Sequence, residues 1–300
     1  MSIIRNVAII GASGNFGTPI TNALSTSNFS ITIITRLSST TSHPSGIPVK
    51  RIAYDLTSLT KAFANQDAII CVVGPGGIPL QKIFIDAAIA AGVKRFIIDD
   101  FGWGPEAHGF DEFAAIHKQR REAWDYAAEK AQEHKDFTWT GLTTGNPIDW
   151  AMKKFPMMGF DVAKHEAIIY DDGTERFTGT TLEGIGQAVL GVLEHPEETA
   201  NRFCKVQSIQ TCQNELLEAF EKVTGEKWKV TKTTSKELIQ SGKEDLHTGN
   251  GMWRLKLAVA TLYDVSEGRG MVAASRQESD AELLGIKDES AGDIAAKLLR

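Results

Sequence analysis

Val7-Ala8-Ile9-Ile10-Gly11-Ala12-Ser13-Gly14-Asn15-Phe16-Gly17, close to the start of this 300-residue chain, is an apolar run that breaks into glycine at every third position. A short run without polar interruption reads as a strand buried on both faces. Thr18 to Ser25 follows with Ile20, Ala23 and Leu24 on one side, as in a helix. A G-x-x-G-x-x-G spacing between a strand and a helix does three things. It permits a tight turn, lets backbone approach a pyrophosphate, and allows helix and strand to pack closely. The free N–H groups of the helix start then face phosphate charge. The strand-turn-helix setting is what separates a dinucleotide-binding loop from an ordinary turn.

Outward from this unit, strands and helices alternate. Ile31 to Thr35, Val49 to Tyr54, Ala68 to Val73, Arg95 to Ile98 and Phe137 to Leu142 read as strands. Leu59 to Asn65, Leu80 to Ala91 with Gly92 as its C-cap, and Phe113 to His134 read as helices. Such alternation predicts an α/β, Rossmann-type, doubly wound parallel sheet covered on both faces. Residues 1–150 form that dinucleotide-binding domain, and residues 151–300 a smaller, irregular α+β substrate-binding part with segments returning to the sheet. In the second part Ala167 to Tyr170 and Phe203 to Val206 read as strands, Leu182 to Leu193 and Asn214 to Val223 as helices. Ala281 to Leu299, with Leu283, Leu284, Ile286, Ile294 and Leu298 apolar, closes the chain.

An NAD site wants a carboxylate about 20 residues beyond the glycines, on the ribose 2′-hydroxyl. At the end of the second strand this chain has Thr35-Arg36 instead. A guanidinium there suits a 2′-phosphate, so the cofactor is read as NADPH/NADP. Asp55, after the third strand, reads equally as adenine-edge contact or ordinary turn.

The bulk properties exclude other classes. A net charge of -6 gives no general attraction to nucleic acid or anionic membrane. Three cysteines without C-x-x-C spacing are neither a disulfide framework nor a zinc site. The seven histidines show no H-x-x-x-H spacing and no cysteine partners, so no metal is expected. His117 and His165 reach the pocket or, more commonly for such residues, serve surface and capping roles. No apolar stretch is long enough for a membrane span, and the chain is expected to be cytoplasmic.

Two lysines compete for proton handling. Tyr126-Ala127-Ala128-Glu129-Lys130 spells Y-x-x-x-K, a pair used by many short-chain dehydrogenases. A helix after the fifth strand descends away from the ligand edge, however, and Lys130 lies roughly 25 Å along it. Lys118 sits about five residues into the same helix, after the glycine-bearing connection Asp99-Asp100-Phe101-Gly102-Trp103-Gly104-Pro105. It is the better-placed acid-base candidate, unless it belongs to a solvated basic face with Arg120 and Arg121.

These features together resemble the NmrA-like atypical short-chain dehydrogenases, in their isoflavone reductase-like branch. The resemblance rests on Gly11 to Gly17, Arg36, Gly92-Val93-Lys94-Arg95-Phe96 leading to Asp100-Phe101-Gly102, Lys118, Thr144-Gly145-Asn146, Asp171-Asp172-Gly173 and Leu182-Glu183-Gly184-Ile185-Gly186. It implies NADPH bound by Gly11, Ser13, Gly14, Asn15, Phe16, Gly17, Arg36, Asp55, Gly74, Lys118 and Asn146. It implies Lys118 as catalytic acid-base residue and hydride transfer to an electron-poor carbon of a small aromatic or conjugated molecule. Trp103, Asn146, Pro147, Trp150 and Phe160 are the expected substrate contacts. The aromatic and methionine cluster Trp150, Met152, Phe155, Met157, Met158 and Phe160 reads equally as pocket lining or as core beneath a loop. The chain departs from the branch at Asn146-Pro147-Ile148-Asp149-Trp150 and in the length of the Lys118 helix, which detaches its substrate from the plant reductases'. The Trp103 loop resembles fungal-type members and points to a specialised metabolite. Some NmrA-like proteins sense NADP and bind a protein partner without catalysis, which is the competing reading.

Overall fold

The computed structural model describes residues 3–106, 109–154, 158–265 and 267–299. Its first half runs β1 (Asn6–Ile10), α1 (Gly17–Ser25), β2 (Ser30–Arg36), β3 (Val49–Ile52), α2 (Leu56–Phe63), β4 (Ala68–Cys71), α3 (Gln81–Ala90), β5 (Arg95–Gly102), α4 (Ala114–Glu133) and β6 (Thr138–Thr143). The second half runs α5 (Ile148–Lys154), β7 (Phe160–Asp161), β8 (Glu166–Tyr170), β9 (Phe177–Gly179), α6 (Leu182–Glu194), β10 (Arg202–Lys205), β11 (Ile209–Thr211), α7 (Gln213–Thr224), β12 (Lys229–Thr233), α8 (Ser235–His247), α9 (Trp253–Tyr263) and α10 (Ala291–Leu298).

Seven strands make one sheet in the order β10-β6-β5-β4-β1-β2-β3, and every neighbour pair is parallel. This is a Rossmann-type, doubly wound α/β sheet. The alternation along β1 shows how it is held. Val7 and Ile9 pack with Ile20 and Leu24 of α1 and Ile185 and Val189 of α6. Ala8 and Ile10 face the other way, toward Leu59 and Phe63 of α2, Phe84 of α3 and Trp124 of α4. Each fully buried aliphatic or Phe side chain contributes about 1.5–3 kcal/mol of transfer free energy, and both faces of the strand are occupied. The chain order reverses between β1 and β4, which opens a crevice at the carboxyl ends of those strands.

The second half contributes to this sheet directly. β10 pairs with β6, and Gly186 of α6 is so close to α1 that a Cβ would stand 2.8 Å from the Pro19 carbonyl. Its own core is separate. Phe160, Phe177, Phe220, Trp228 and Tyr263 pack between a three-stranded sheet, β12-β8-β7, and helices α5, α7, α9 and α10.

Arg95, at the start of β5, staples the end of the sheet remote from the glycines. Although it is fully buried, its guanidinium donates to Thr138, Thr140 and Thr199 hydroxyls and to the Pro196 carbonyl. Burial pulls its pKa down to about 10, so the group still carries its charge at neutral pH.

Several elements differ from the sequence expectation, among them the short α5, β7, β9, β11 and β12 that it did not name. β5 does not stop at Ile98 but continues to Gly102, with a register shift between Ile97 and Phe101. The acidic pair Asp99-Asp100 reads in sequence as the start of the connection to the next helix, yet both residues are buried within the strand. Helices α8 and α9 were not foreseen, because their apolar residues are sparse or lack a clear stripe. The capping box of Thr234 and Glu237 was the available signal for α8. In the closing segment only Ala291–Leu298 is helical, while Ala281, Leu284 and Ile286 join the core under α6 through turns.

Candidate functional site

The crevice begins at the glycine turn. Gly11 has φ +90°, and a Cβ on it would lie 2.2 Å from the Val72 carbonyl oxygen. A Cβ on Gly17 would lie 2.0 Å from the Gly11 carbonyl oxygen. Both positions therefore require glycine, and the turn is closed by Gly14 N–H donating to Gly11 O at 3.0 Å. The first helical turn of α1 has no side-chain cap, and within it Thr18 N–H donates back to Gly14 O at 3.0 Å. Gly11, Ser13, Thr35, Arg36, Ser39, Thr41, Tyr54, Gly74, Gly76 and Gly77 line one cleft of about 320 Å³. Arg36 is exposed at its far end, and no acidic residue is among the lining. A glycine turn and an exposed guanidinium on one cleft fit a dinucleotide carrying a 2′-phosphate.

Asp55 takes another role. Its carboxylate caps α2, accepting from Ser58 N at 2.9 Å and Ser58 Oγ at 2.8 Å. Tyr54 beside it lines the cleft instead. The sequence reading missed Tyr54, Thr41 and the Gly76-Gly77 pair. The last had a visible signal, a glycine cluster directly after the fourth strand.

The crevice continues over the ends of β5 and β6. Phe16 lies with its ring centroid 6.2 Å from Phe101 and 6.3 Å from Trp150, joining the glycine turn to β5 and α5. The Trp103 ring covers Gly145, where a Cβ would stand 3.4 Å from it. Thr144 Oγ1 and Asn146 Nδ2 are buried without a hydrogen-bond partner among the described residues. Buried polar atoms left open in this way suit a site that a ligand completes. Asp149 anchors the start of α6, accepting from Leu182 N at 3.0 Å. Pro147 precedes α5 and is half-buried.

Phe160 is corrected to a core position. It is fully buried and packs on Phe220 at 5.2 Å and Trp228 at 6.3 Å, because β7 turns its ring into the second core. Met152 and Met158 are buried in the same core, and Phe155 and Met157 lie outside the described residues.

Two cavities flank Trp103. One, about 460 Å³, opens along β6 and β10, with Thr143, Phe203, Lys205 and Met271 on its wall. A Lys205–Glu106 ion pair of 2.7 Å also borders it. The other, about 190 Å³, lies over the first turns of α4 and is lined by Trp103, Gly109, Phe113, Ile116, His117, Arg120, Ala258, Thr261 and Arg269. Arg120 reaches down to the buried Asp100 at 3.3 Å. Burial pushes Asp99 up to about 8 and Asp100 up to about 7, opposed in both by the Arg120 charge. Lys118 is exposed and lines neither cavity. Tyr126 donates to Asp86 of α3 at 2.5 Å, and Lys130 pairs with Glu133 at 2.6 Å. That pair stands on the α3 side of the helix.

Comparison with known proteins agrees with this architecture. Residues 5–249 match the model of the NmrA-like family. Oxidoreductase poxI of Penicillium oxalicum is 59% identical over 289 residues, covering 96% of this chain and 92% of the relative. A solved isoflavone reductase superposes with TM-score 0.76 at 17% identity, covering 97% of this chain and 98% of its own. AtPrR2, solved with NADP+ and (+)pinoresinol, gives TM-score 0.75 at 18% identity, covering 100% and 99%. This chain belongs to the NmrA-like family.

Proposed function

We propose that this protein is an NADPH-dependent reductase that transfers a hydride to an electron-poor carbon of a small aromatic or conjugated molecule. The observation that carries the reading is the single cleft shared by Gly11, Ser13, Arg36 and Gly74. Backbone N–H groups at the start of α1 would hold the pyrophosphate, and Arg36 the 2′-phosphate. Bound there, NADPH supplies a hydride. Asn146 and Thr144, with open buried polar atoms, would orient the reacting end over β5 and β6. Phe16, Trp103 and Trp150 supply apolar walls that exclude water and stack on a planar substrate.

The close relative's designation as an oxidoreductase and the NADP+ held by AtPrR2 support the same reading. Lys118, the acid-base residue implied by the family resemblance, draws no support from its exposed position. The test is NADPH consumption against a panel of conjugated aromatic ketones, quinones and imines. Turnover of at least one class is expected. If NADPH binds, no compound is reduced and a protein partner distinguishes NADPH from NADP, the sensing reading replaces this one.

A further inference from the structure

We propose that His117, rather than Lys118, is the catalytic residue that donates a proton to the substrate, in the cavity between the first turns of α4 and helix α9. The proposal rests on the reductase reading above, and its substrate class is a conjugated carbonyl or imine whose heteroatom gains negative charge on reduction.

The rotation of α4 carries the argument. Successive residues turn by about 100°. The inward face is marked by Ala123, Trp124 and Ala127, all buried. His117 precedes Trp124 by seven residues, within about 20° of two full turns, and so shares that inward side. Lys118 precedes Ala127 by nine residues, about half a turn away, and so points to solvent. The observed exposure agrees with both placements: His117 is half-buried on the cavity wall and Lys118 is exposed.

The imidazole is held in place. Phe113, one turn earlier, stacks on it at 6.1 Å with the rings 19° apart. A Cβ at Gly109 would stand 3.2 Å from His117 Cε1, so the glycine leaves the ring its room. Around the same cavity stand Trp103, Arg120, Thr261 and Arg269. Arg120 is fixed by Asp100, and its Nε is buried without a partner among the described residues. A proton donor beside arginines and an indole suits a planar molecule that develops an oxyanion or amide-like nitrogen anion.

The charged groups bearing on His117 are Arg120 and Arg121 of its own helix, and Arg269 lines the same cavity from the other side. Asp100 of β5 acts through Arg120. Burial first, then the two arginines of its helix, lower the imidazole below its ordinary value. In its protonated form the ring is therefore the stronger acid toward a forming anion, and that form is lost as pH rises. With the hydride supplied by NADPH, a C–H bond forms at the substrate carbon and the π pair moves to oxygen or nitrogen. The imidazolium N–H bond breaks as that heteroatom takes the proton, and solvent re-protonates the ring.

Two measurements test this. In the NMR spectrum of the full chain, the His117 Cε1–H signal, assigned by its loss in His117→Asn, should titrate below pH 6.5. It should move on addition of NADP+ with the cofactor's own Kd, while His165 and His195 stay fixed. With any reduced panel compound, His117→Asn should lower kcat about 100-fold and abolish the fall of kcat/KM with rising pH. Lys118→Met should stay within about threefold, as a surface change does. A His117 signal indifferent to bound NADP+, or a Lys118→Met loss equal to that of His117→Asn, overturns the assignment. Failure of NADP+ to bind at all overturns both this proposal and the reading beneath it.

Discussion

The glycine turn and the α4 cavity are built by opposite means. The turn is almost entirely backbone, and its residues fall within the seven positions Gly11 to Gly17. Its demands are steric, and each acts at one residue: a side chain at Gly11 or Gly17 would collide with a carbonyl oxygen. The cavity is mostly side chains, gathered from the segment between β5 and α4, α4 itself, α9 and the segment after it. Its demands are about orientation, which depends on how a helix is rotated against a sheet. A site of the first kind can be read from spacing. One of the second kind appears only once helical phase and partner elements are known.

The contrast can be broken or sharpened by substitution. The largest effect is expected at the turn. Gly11→Ala forces a Cβ against the Val72 carbonyl at a left-handed φ, so thermal unfolding should show a loss of at least about 2 kcal/mol. NADPH affinity, followed by fluorescence, should fall by roughly 100-fold or more at a temperature where the variant is folded. Retained affinity would mean the loop does not hold the pyrophosphate.

A smaller effect, opposite in sign, is expected within β5. Asp99 is raised to about 8, chiefly by burial. The folded state then holds a proton that the unfolded state gives up near pH 4, so stability falls as pH rises between about 4 and 8. Asp99→Asn removes that loss while keeping an oxygen acceptor. It should stabilise the protein by about 2 kcal/mol at pH 8.5 and by little at pH 4. Equal effects at both pH values would show that the carboxyl is not neutral in the fold.

The smallest effect is expected at the pair that looked catalytic in the sequence. Tyr126→Phe deletes one hydrogen bond to Asp86, worth about 1 kcal/mol in denaturant unfolding. The turnover number should not change, because Tyr126 lines neither cavity flanking Trp103. A large loss of turnover would return the Y-x-x-x-K pair to the mechanism.

Legibility followed the same division. The first six strands came from apolar runs alternating with helical spacing, most clearly where a strand such as β1, β4 or β5 is buried on both faces. The place of Arg36 on the glycine cleft was legible because the end of the second strand lies beside the glycine turn. β5 was read too short, since the acidic pair inside it is accommodated by burial that raises Asp99 and by Arg120, 20 positions on, which pairs with Asp100. Phe160 was misplaced because an aromatic near a pocket and one in a core have the same local sequence. Lys118 and His117 are neighbours in the chain, yet helical phase puts them on different sides of α4.

The central claim, that this cleft is built for NADPH, is tested most directly by dissociation constants for NADPH and NADH in the native chain and in Arg36→Ala. The account predicts a native preference for NADPH of roughly 10–100-fold, set by charge-assisted bonds to the 2′-phosphate. In the variant that preference should fall to within about threefold, with NADH affinity unchanged. Equal native affinities, or a preference that survives in Arg36→Ala, would contradict it.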